Sequence, residues 1–253
     1  MLVVHATPRM HAARLEPKSV AGWSAYVAVA EARMARELDS TGRFLGIDFD
    51  RDGAAEREAV LTGRVVIRRL QASATDGRSI QVGSARVHHW RGAVFIPGVI
   101  LSDLIAELQR TVPPAGQDDI LDSRLLERGP DRMRVYLKLQ RHKFVTVVYD
   151  TEHLVTFKRY AATRAATATV ATKIAELENP GTPNERERPE GDDRGFLWKL
   201  NAYWRYEQVR GGVIAECESI SLSRDVPGVL RSLVDPLIES TARESLDRTL
   251  TSF

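Results

Sequence analysis

Cysteine is almost absent from this 253-residue sequence, and so is any long apolar segment. Cys217 is the single cysteine, which excludes an intrachain disulfide and a cysteine-based metal cluster. No apolar run approaches the roughly 20 residues that span a bilayer. The opening residues, MLVVHATPRMHAARLEPK, lack the apolar core of a secretory signal, so a soluble, cytoplasmic protein is the default expectation.

A strong charge of one sign is missing as well. The 36 lysines and arginines nearly balance the 34 aspartates and glutamates, which leaves a formal net charge of +2 and no block of like charge. This charge argues neither for nor against a nucleic-acid partner, and we predict none. No phosphate-binding loop and no Ser–His–Asp arrangement can be assembled from the sequence.

The histidines do not form a metal site in this pattern. His88 and His89 are adjacent in a strand-like segment, so their side chains point to opposite faces of a sheet. His142 and His153 are isolated in strand or turn context, and we interpret them in the same way. The sequence predicts no metal and no cofactor.

The first eighty residues differ from the rest of the chain. Residues 20–38 carry apolar side chains at helical spacing, which predicts an amphipathic helix that ends before Gly42. Leu61 to Ala72 has the pattern of a strand. We treat residues 1–80 as an N-terminal extension of helix and strand whose role the sequence does not indicate.

From Val87 to the C-terminus the elements follow a regular order. The strand VHHWRGAVFI ends at Pro97-Gly98, and a helix follows it. Strand patterns then occur in ILDSRLLER, RMRVYLKLQ, FVTVVYDTEHLVTFKRY, AATATVATKIAELE and a final hairpin. A long helix begins near Pro227, and Pro236 inside it predicts a kink or a break.

This order resembles the helix-grip fold of the START-like superfamily, also called SRPBCC. The residues that carry the resemblance are GAVFIPG with the helix that follows it, the hairpin WKLNAYWRYEQVRGGVIAECESISLS and the closing helix RDVPGVLRSLVDPLIESTARESL. The resemblance covers residues 87–253. It implies an α+β fold in which a curved antiparallel sheet wraps around the C-terminal helix and holds a hydrophobic ligand, as in lipid-transfer and polyketide cyclase domains.

In the hairpin from Gly195 to Ser223, the segment from Gly195 to Gly212 alternates large apolar and polar residues with the period of a strand. A two-residue turn at Arg210-Gly211 places Trp204 opposite Cys217 and Arg205 opposite Glu216. Moving the turn to Gly211-Gly212 keeps the same faces. Both registers pair opposite charges across the strands, so we favour them over a three-residue loop.

The aromatic face of this hairpin is completed by small residues, which leaves two interpretations open. Large and small side chains can interdigitate in a closed core, or the space can be a pocket; the resemblance favours a pocket. The predicted lining comes from the hairpin, a second strand and the gripping helix: Phe196, Trp198, Leu200, Trp204, Tyr206, Met133, Val135, Leu137, Leu139, Leu233 and Leu237.

Charged residues alternate on the opposite face of the hairpin. Glu176 with Glu178 and Glu216 with Glu218 flank Lys199 and Arg205, which is typical of a solvated surface. The N-terminal eighty residues could cover this ladder instead, and its charges would then need full pairing. The charged loop at residues 179–195 is long enough to be a gate to the pocket.

The resemblance implies binding, sequestration or transfer of an apolar or amphipathic small molecule, such as a lipid, quinone or polyketide, with transient membrane contact. An enzyme of the cyclase or hydrolase type is the alternative, and Arg164, Tyr203 and Glu218 are its candidate polar anchors. A protein-interaction module that holds no ligand is a third interpretation. The sequence leaves the ligand and the oligomeric state open.

Overall fold

A computed structural model describes residues 14–74, 77–113, 119–142, 146–189, 193–225, 243–244 and 246–251. The chain begins with helix α1 (Pro17–Leu38), a short 3₁₀ helix (Gly46–Phe49) and helix α2 (Gly53–Leu61). Strands β1 (Val66–Arg69) and β2 (Ala85–Pro97) and helix α3 (Leu101–Arg110) follow.

The remaining strands run in a series of antiparallel neighbours. They are β3 (Ile120–Arg128), β4 (Arg132–His142), β5 (Thr146–Ala161), β6 (Arg164–Glu178), the two-residue β7 (Arg186–Glu187), β8 (Lys199–Val209) and β9 (Gly212–Arg224). Residues 243–244 and 246–251 are helical, and we call them the last helix. Most of the predicted helix from Pro227, including Pro236, lies outside the described residues.

All described strands belong to one antiparallel sheet in the order β1-β2-β9-β8-β6-β5-β4-β3, with β7 paired to β6. The α+β class and the antiparallel sheet predicted from the sequence are confirmed. β1 comes from the first eighty residues and pairs with β2. The division of the chain into residues 1–80 and 87–253 stays a prediction.

The hairpin of β8 and β9 has the first register that the sequence favoured. Val209 pairs with Gly212, so Arg210-Gly211 forms the two-residue turn. Trp204 lies opposite Cys217 and Arg205 lies opposite Glu216. Because side chains alternate along both strands, this register assigns each of them to one side of the sheet.

The two faces of the sheet are covered by different helices, and we call them the inner face and the outer face. On the inner face, α3 packs against Tyr206, and the last helix packs against Trp204 and Cys217. On the outer face, α1 packs against Ile220 and the segment around the 3₁₀ helix packs against Ile214. The sheet is thus the middle layer between two sets of helices.

The last helix shows how strongly the sheet curves. Its Leu250 lies against Gly92 of β2, where an added Cβ would come within 2.5 Å of the leucine Cδ1. Its Arg248 reaches Asp119, just before β3, with 3.0 Å between Nη2 and Oδ2. A flat sheet would separate β2 from β3 by about 29 Å, since strands are ~4.8 Å apart. One helix of about 10–12 Å diameter contacts β2 and the residue before β3, because the sheet bends around it.

Candidate functional site

Strands β4 and β5 form a floor of alternating apolar and polar residues on the inner face. Met133, Val135, Leu137 and Leu139 of β4 face this side, because they pair with Val155, His153, Thr151 and Tyr149 of β5. Met133, Val135 and Leu139 are buried. Thr167 of β6 pairs with Trp204 and therefore shares the inner face with it. The structure thus brings the predicted β4 residues to the same face as Trp204 and Tyr206.

A chain of hydrogen bonds fixes the orientation of His153 in this floor. The hydroxyl of Thr151 donates to the carbonyl oxygen of Leu137 at 2.8 Å. Its oxygen lies 2.9 Å from His153 Nε2, so Nε2 carries the proton and donates it to Thr151. His153 Nδ1 is then a lone-pair acceptor. It is buried, and no group within the described chain hydrogen-bonds to it.

Burial sets the charge of His153. The side chain is almost completely removed from solvent, and this desolvation lowers the pKa of His153 to about 4. The imidazole is therefore neutral at physiological pH. It presents a hydrogen-bond acceptor to the inner face and not a positive charge.

Tyr149 lies four residues before His153 on the same face of β5. Its hydroxyl is buried and makes no hydrogen bond to any described residue. Burial, with the nearby carboxylates of Glu176 and Asp193, raises the pKa of Tyr149, so the hydroxyl keeps its proton. Among the described residues, the Tyr149 hydroxyl is therefore a donor and His153 Nδ1 an acceptor without a hydrogen-bond partner.

Glu176 closes one end of this floor and connects it to the loop that follows β6. The Glu176 carboxylate accepts a hydrogen bond from the Arg194 N–H at 2.9 Å and lies 3.3 Å from Arg188 Nε. The loop returns to the sheet, since Leu177 pairs with Glu187 of β7. The role of residues 179–195 as a gate stays a prediction.

Several predicted lining residues lie elsewhere. Trp198 precedes the first residue of β8 and packs in the outer-face cluster with α1, and its Nε1–H donates to Asp193 at 2.9 Å. Phe196 is exposed beside the guanidinium of Arg224. The alternation extrapolated from β8 fails for both residues because the regular strand begins at Lys199. Leu200 pairs with Ser221 and faces inward. Leu233 and Leu237 lie outside the described residues.

The three predicted polar anchors are on the outer face, and this corrects their assignment to the same pocket. Arg164 pairs with Glu207, with 3.0 Å between Nε and Oε1. The Tyr203 hydroxyl donates to Glu31 of α1 at 2.7 Å. Glu218 contacts Arg33 of α1. Pairing in the sheet sets all three on the side opposite Trp204 and Tyr206.

The charge ladder around Glu216 is buried, so its interpretation as a solvated surface is wrong. Gly46 N and Ile47 N donate to the Glu216 carboxylate at 2.6 and 2.8 Å. Burial raises the pKa of Glu216, while the guanidinium groups of Arg205 and Arg91 and these N–H groups oppose the rise. The alternative, in which the first eighty residues cover these charges, describes Glu216, Glu218 and Arg205. Glu176 instead shares the inner face with Tyr149.

A buried relay extends from Glu218 to α1. His89 Nε2 lies 2.7 Å from Glu218 Oε1, and the Tyr26 hydroxyl lies 2.9 Å from His89 Nδ1. Tyr26 in turn accepts a hydrogen bond from Ala72 N. Burial acts to raise the pKa of Glu218, but the His89 hydrogen bond and the Arg33 charge outweigh it and lower the pKa to about 2. These hydrogen bonds connect α1 to the sheet. They lie on the outer face and do not reach the inner face.

Groups of three or more potential metal ligands do not occur among the described residues. His88 forms a hydrogen bond with Ser223 on the inner face, with 3.0 Å between Nε2 and Oγ. His89 lies on the outer face, where it contacts Glu218. The prediction that these two histidines cannot share a metal ion agrees with this geometry. In the described part of the chain, no helix is long and apolar enough to cross a membrane.

No protein-family model matches the sequence, and no curated protein matches it at a significant level. Solved structures with a similar fold do exist. A fragment of the STAR-related lipid transfer protein from Xanthomonas axonopodis is 14% identical, with a TM-score of 0.40 over 72% of this chain and 98% of that one.

Two further structures have the same kind of similarity. The Zhui aromatase/cyclase from Streptomyces sp. R1128 is 11% identical, with a TM-score of 0.42 over 66% of this chain and 90% of that one. Human StAR-related lipid transfer protein 5 is 13% identical, with a TM-score of 0.39 over 93% of this chain and 99% of that one. These similarities concern the fold alone.

Proposed function

We propose that the inner face binds an elongated amphipathic small molecule above β4, β5 and β6, and that the protein sequesters or transfers this ligand. This proposal is based on two buried polar atoms, Tyr149 Oη and His153 Nδ1, which lack hydrogen-bond partners within the described chain. Leaving a buried polar group unpaired costs about 1–3 kcal/mol. A bound ligand, or water that a ligand displaces, supplies the missing partners.

The two atoms define the polarity of the ligand. Tyr149 donates a proton and needs an acceptor, while His153 Nδ1 accepts one and needs a donor such as a hydroxyl group. Four residues of extended strand separate their Cα atoms by roughly 13 Å. Between them lie Thr151, whose hydroxyl is already hydrogen-bonded, and the apolar side chains of Val135, Leu137 and Leu139 on β4. The complementary ligand has a neutral polar group towards each end and an apolar body.

An enzyme of the cyclase or hydrolase type is less well supported by this arrangement. Arg164, Tyr203 and Glu218 lie on the outer face, so a reaction on the inner face would depend on Tyr149 and His153. A general base works best with a pKa near the operating pH. With a pKa of about 4, His153 is a weak base and serves better as a fixed acceptor.

A protein-interaction module would need a sheet face that is open to another protein. α1 and the 3₁₀ helix already cover the outer face of β2, β8 and β9, so that face has an intramolecular partner. The names of the structurally similar proteins, which include lipid transfer proteins and an aromatase/cyclase, are compatible with ligand binding on the inner face.

Native mass spectrometry of the purified protein, followed by denaturing extraction, tests the proposal. We expect a co-purifying apolar mass, or a raised melting temperature with one member of a panel of fatty acids, sterols, quinones and aromatic polyketides. No bound mass together with no thermal shift across the panel would contradict ligand binding.

Three variants then locate the site. Tyr149→Phe and His153→Phe each remove one polar atom and keep the ring, so each should weaken binding of the active compound by about tenfold. Tyr160→Phe is the matched control, since Tyr160 lies on the outer face beside Phe44. Equal affinity in all four proteins would place the ligand elsewhere.

A further inference from the structure

Strand β3 is an edge of the sheet formed by the described strands. Among the described strands it pairs with β4 alone, whereas the interior strands each have two neighbours. An edge strand presents a row of N–H and C=O groups that can pair with another strand. Whether such an edge is used depends on the side chains that it displays.

The side chains of β3 are unusually apolar for an exposed edge. Seven large hydrophobic residues are exposed among the described residues, and three of them are on this nine-residue strand. They are Leu121, Leu125 and Leu126, with exposed fractions of 48%, 39% and 46%. A cluster of exposed apolar side chains marks an interaction surface.

The charges on the same strand are self-complementary. Arg124 contacts Asp122 at 3.3 Å, and Glu127 lies 4.0 Å from Arg134. The Arg124 and Glu127 side chains are 62% and 53% exposed, so these ion pairs are weak and can be exchanged for others. A strand that carries both signs in this order can match a second copy of itself.

We propose that β3 pairs antiparallel with β3 of a second copy of this chain across a twofold axis. Centring the pairing between Leu125 and Leu126 places Arg124 of each copy opposite Glu127 of the other, which gives two opposite-charge pairs. It also brings Leu125 of each copy beside Leu126 of the other. The twofold axis makes one patch serve both partners.

Other registers are less favourable for the same charges. Shifting the centre to Arg124 sets two arginines opposite each other, and centring between Arg124 and Leu125 sets Asp122 opposite Glu127. β3 also has irregularities between Ile120 and Asp122 and between Leu125 and Glu127. The second irregularity puts Arg124 and Glu127 on the same face of the sheet, opposite Tyr136 and Arg134 of β4. A twofold pairing occupies this edge in both copies, so a discrete dimer forms.

Sedimentation velocity of the full chain over a range of concentrations tests this surface. We expect a concentration-dependent dimer. Arg124→Glu or Glu127→Arg alone creates two like-charge pairs, so each should weaken dimerisation by about tenfold or more. The double variant with both reversals restores opposite charges and should return the dimer to near its original affinity.

Arg159→Glu is the control, because Arg159 is exposed at the far end of β5 and outside the proposed contact. It should leave the dimer unchanged. A chain that is monomeric at all concentrations overturns the proposal, and so does a dimer that neither reversal weakens. A double variant that stays as weak as the singles overturns the register.

Discussion

Arg205 of β8 and Glu37 of α1 form an ion pair in which both side chains are almost fully shielded from solvent. Arg205 Nη2 lies 2.6 Å from Glu37 Oε2, and Arg205 Nη1 also donates to the Phe44 carbonyl oxygen at 3.0 Å. The pair joins the N-terminal helix to the middle of the sheet. Charges buried in this way are tolerated only when each one has partners.

Removal of Arg205 should therefore destabilise the fold strongly. Arg205→Ala leaves Glu37 and Glu216 buried without this cation, and we expect a loss of about 3–5 kcal/mol in the free energy of unfolding. Urea denaturation measures it. Arg134→Ala is the control, because Arg134 pairs with Glu152 in an exposed setting and should cost about 0–1 kcal/mol. Equal losses in the two variants would contradict the buried network.

Glu218 should make the protein sensitive to strong acid. Its pKa of about 2 lies below the ordinary value of 4.5, so its contribution is complete above pH 4.5 and is lost as pH falls towards 2. The contribution is on the order of 3 kcal/mol. Glu218→Gln should be less stable at pH 7 and should lose less stability between pH 4.5 and 2. Exposed Glu58→Gln serves as the control; a wild-type slope in Glu218→Gln would exclude the ionised pair.

His153 should act in a different pH window. Its pKa is lowered from 6.5 to about 4, so the folded state resists protonation and stability falls as pH drops through this interval. His153→Phe should flatten the dependence between pH 6.5 and 4, while Glu218→Gln should retain it. Imidazole nitrogen chemical shifts in an NMR titration should show an unprotonated Nδ1 at neutral pH. A His153 that titrates near 6.5 would contradict its burial.

The close contact between Gly92 and the last helix predicts an effect of adding one methyl group. In Gly92→Ala the new Cβ meets Leu250, which is fully buried, and overpacking of this kind costs about 1–3 kcal/mol. Thermal or urea unfolding measures the loss. Gly129→Ala is the control, since its Cβ would meet the flexible Arg132 side chain at 3.3 Å. Full stability in Gly92→Ala would show that the last helix shifts freely.

The sequence predicted the sheet and its register well, because both depend on local patterns. Alternation in β8 and the RGG turn signal left two registers open, and the one with the turn at Arg210-Gly211, which sets Trp204 opposite Cys217, is observed. The same alternation could not reveal what covers each face. Arg205 lies 168 residues from its partner Glu37, and no local signal connects them. The charge pattern alone therefore indicated a solvated surface.

Two residues of the proposed site, Tyr149 and His153, were missed for a related reason. His153 looked isolated because its partner Thr151 and its apolar surroundings on β4 are assembled only when the strands pair. A usable signal did exist: Tyr149, Thr151 and His153 alternate within one strand, so they had to share a face. Trp198 was misplaced because a pattern cannot mark the residue at which a strand begins.

The last helix is attached to β2 and to the residue before β3 by contacts of different chemistry. Leu250 is held at β2 by apolar contact, whereas Arg248 is held near β3 by an ion pair with Asp119 that is partly open to solvent. Salt weakens the second attachment and leaves the first intact. The helix is therefore fixed to the sheet independently of salt at Leu250, and only its Arg248 contact near β3 depends on ionic strength.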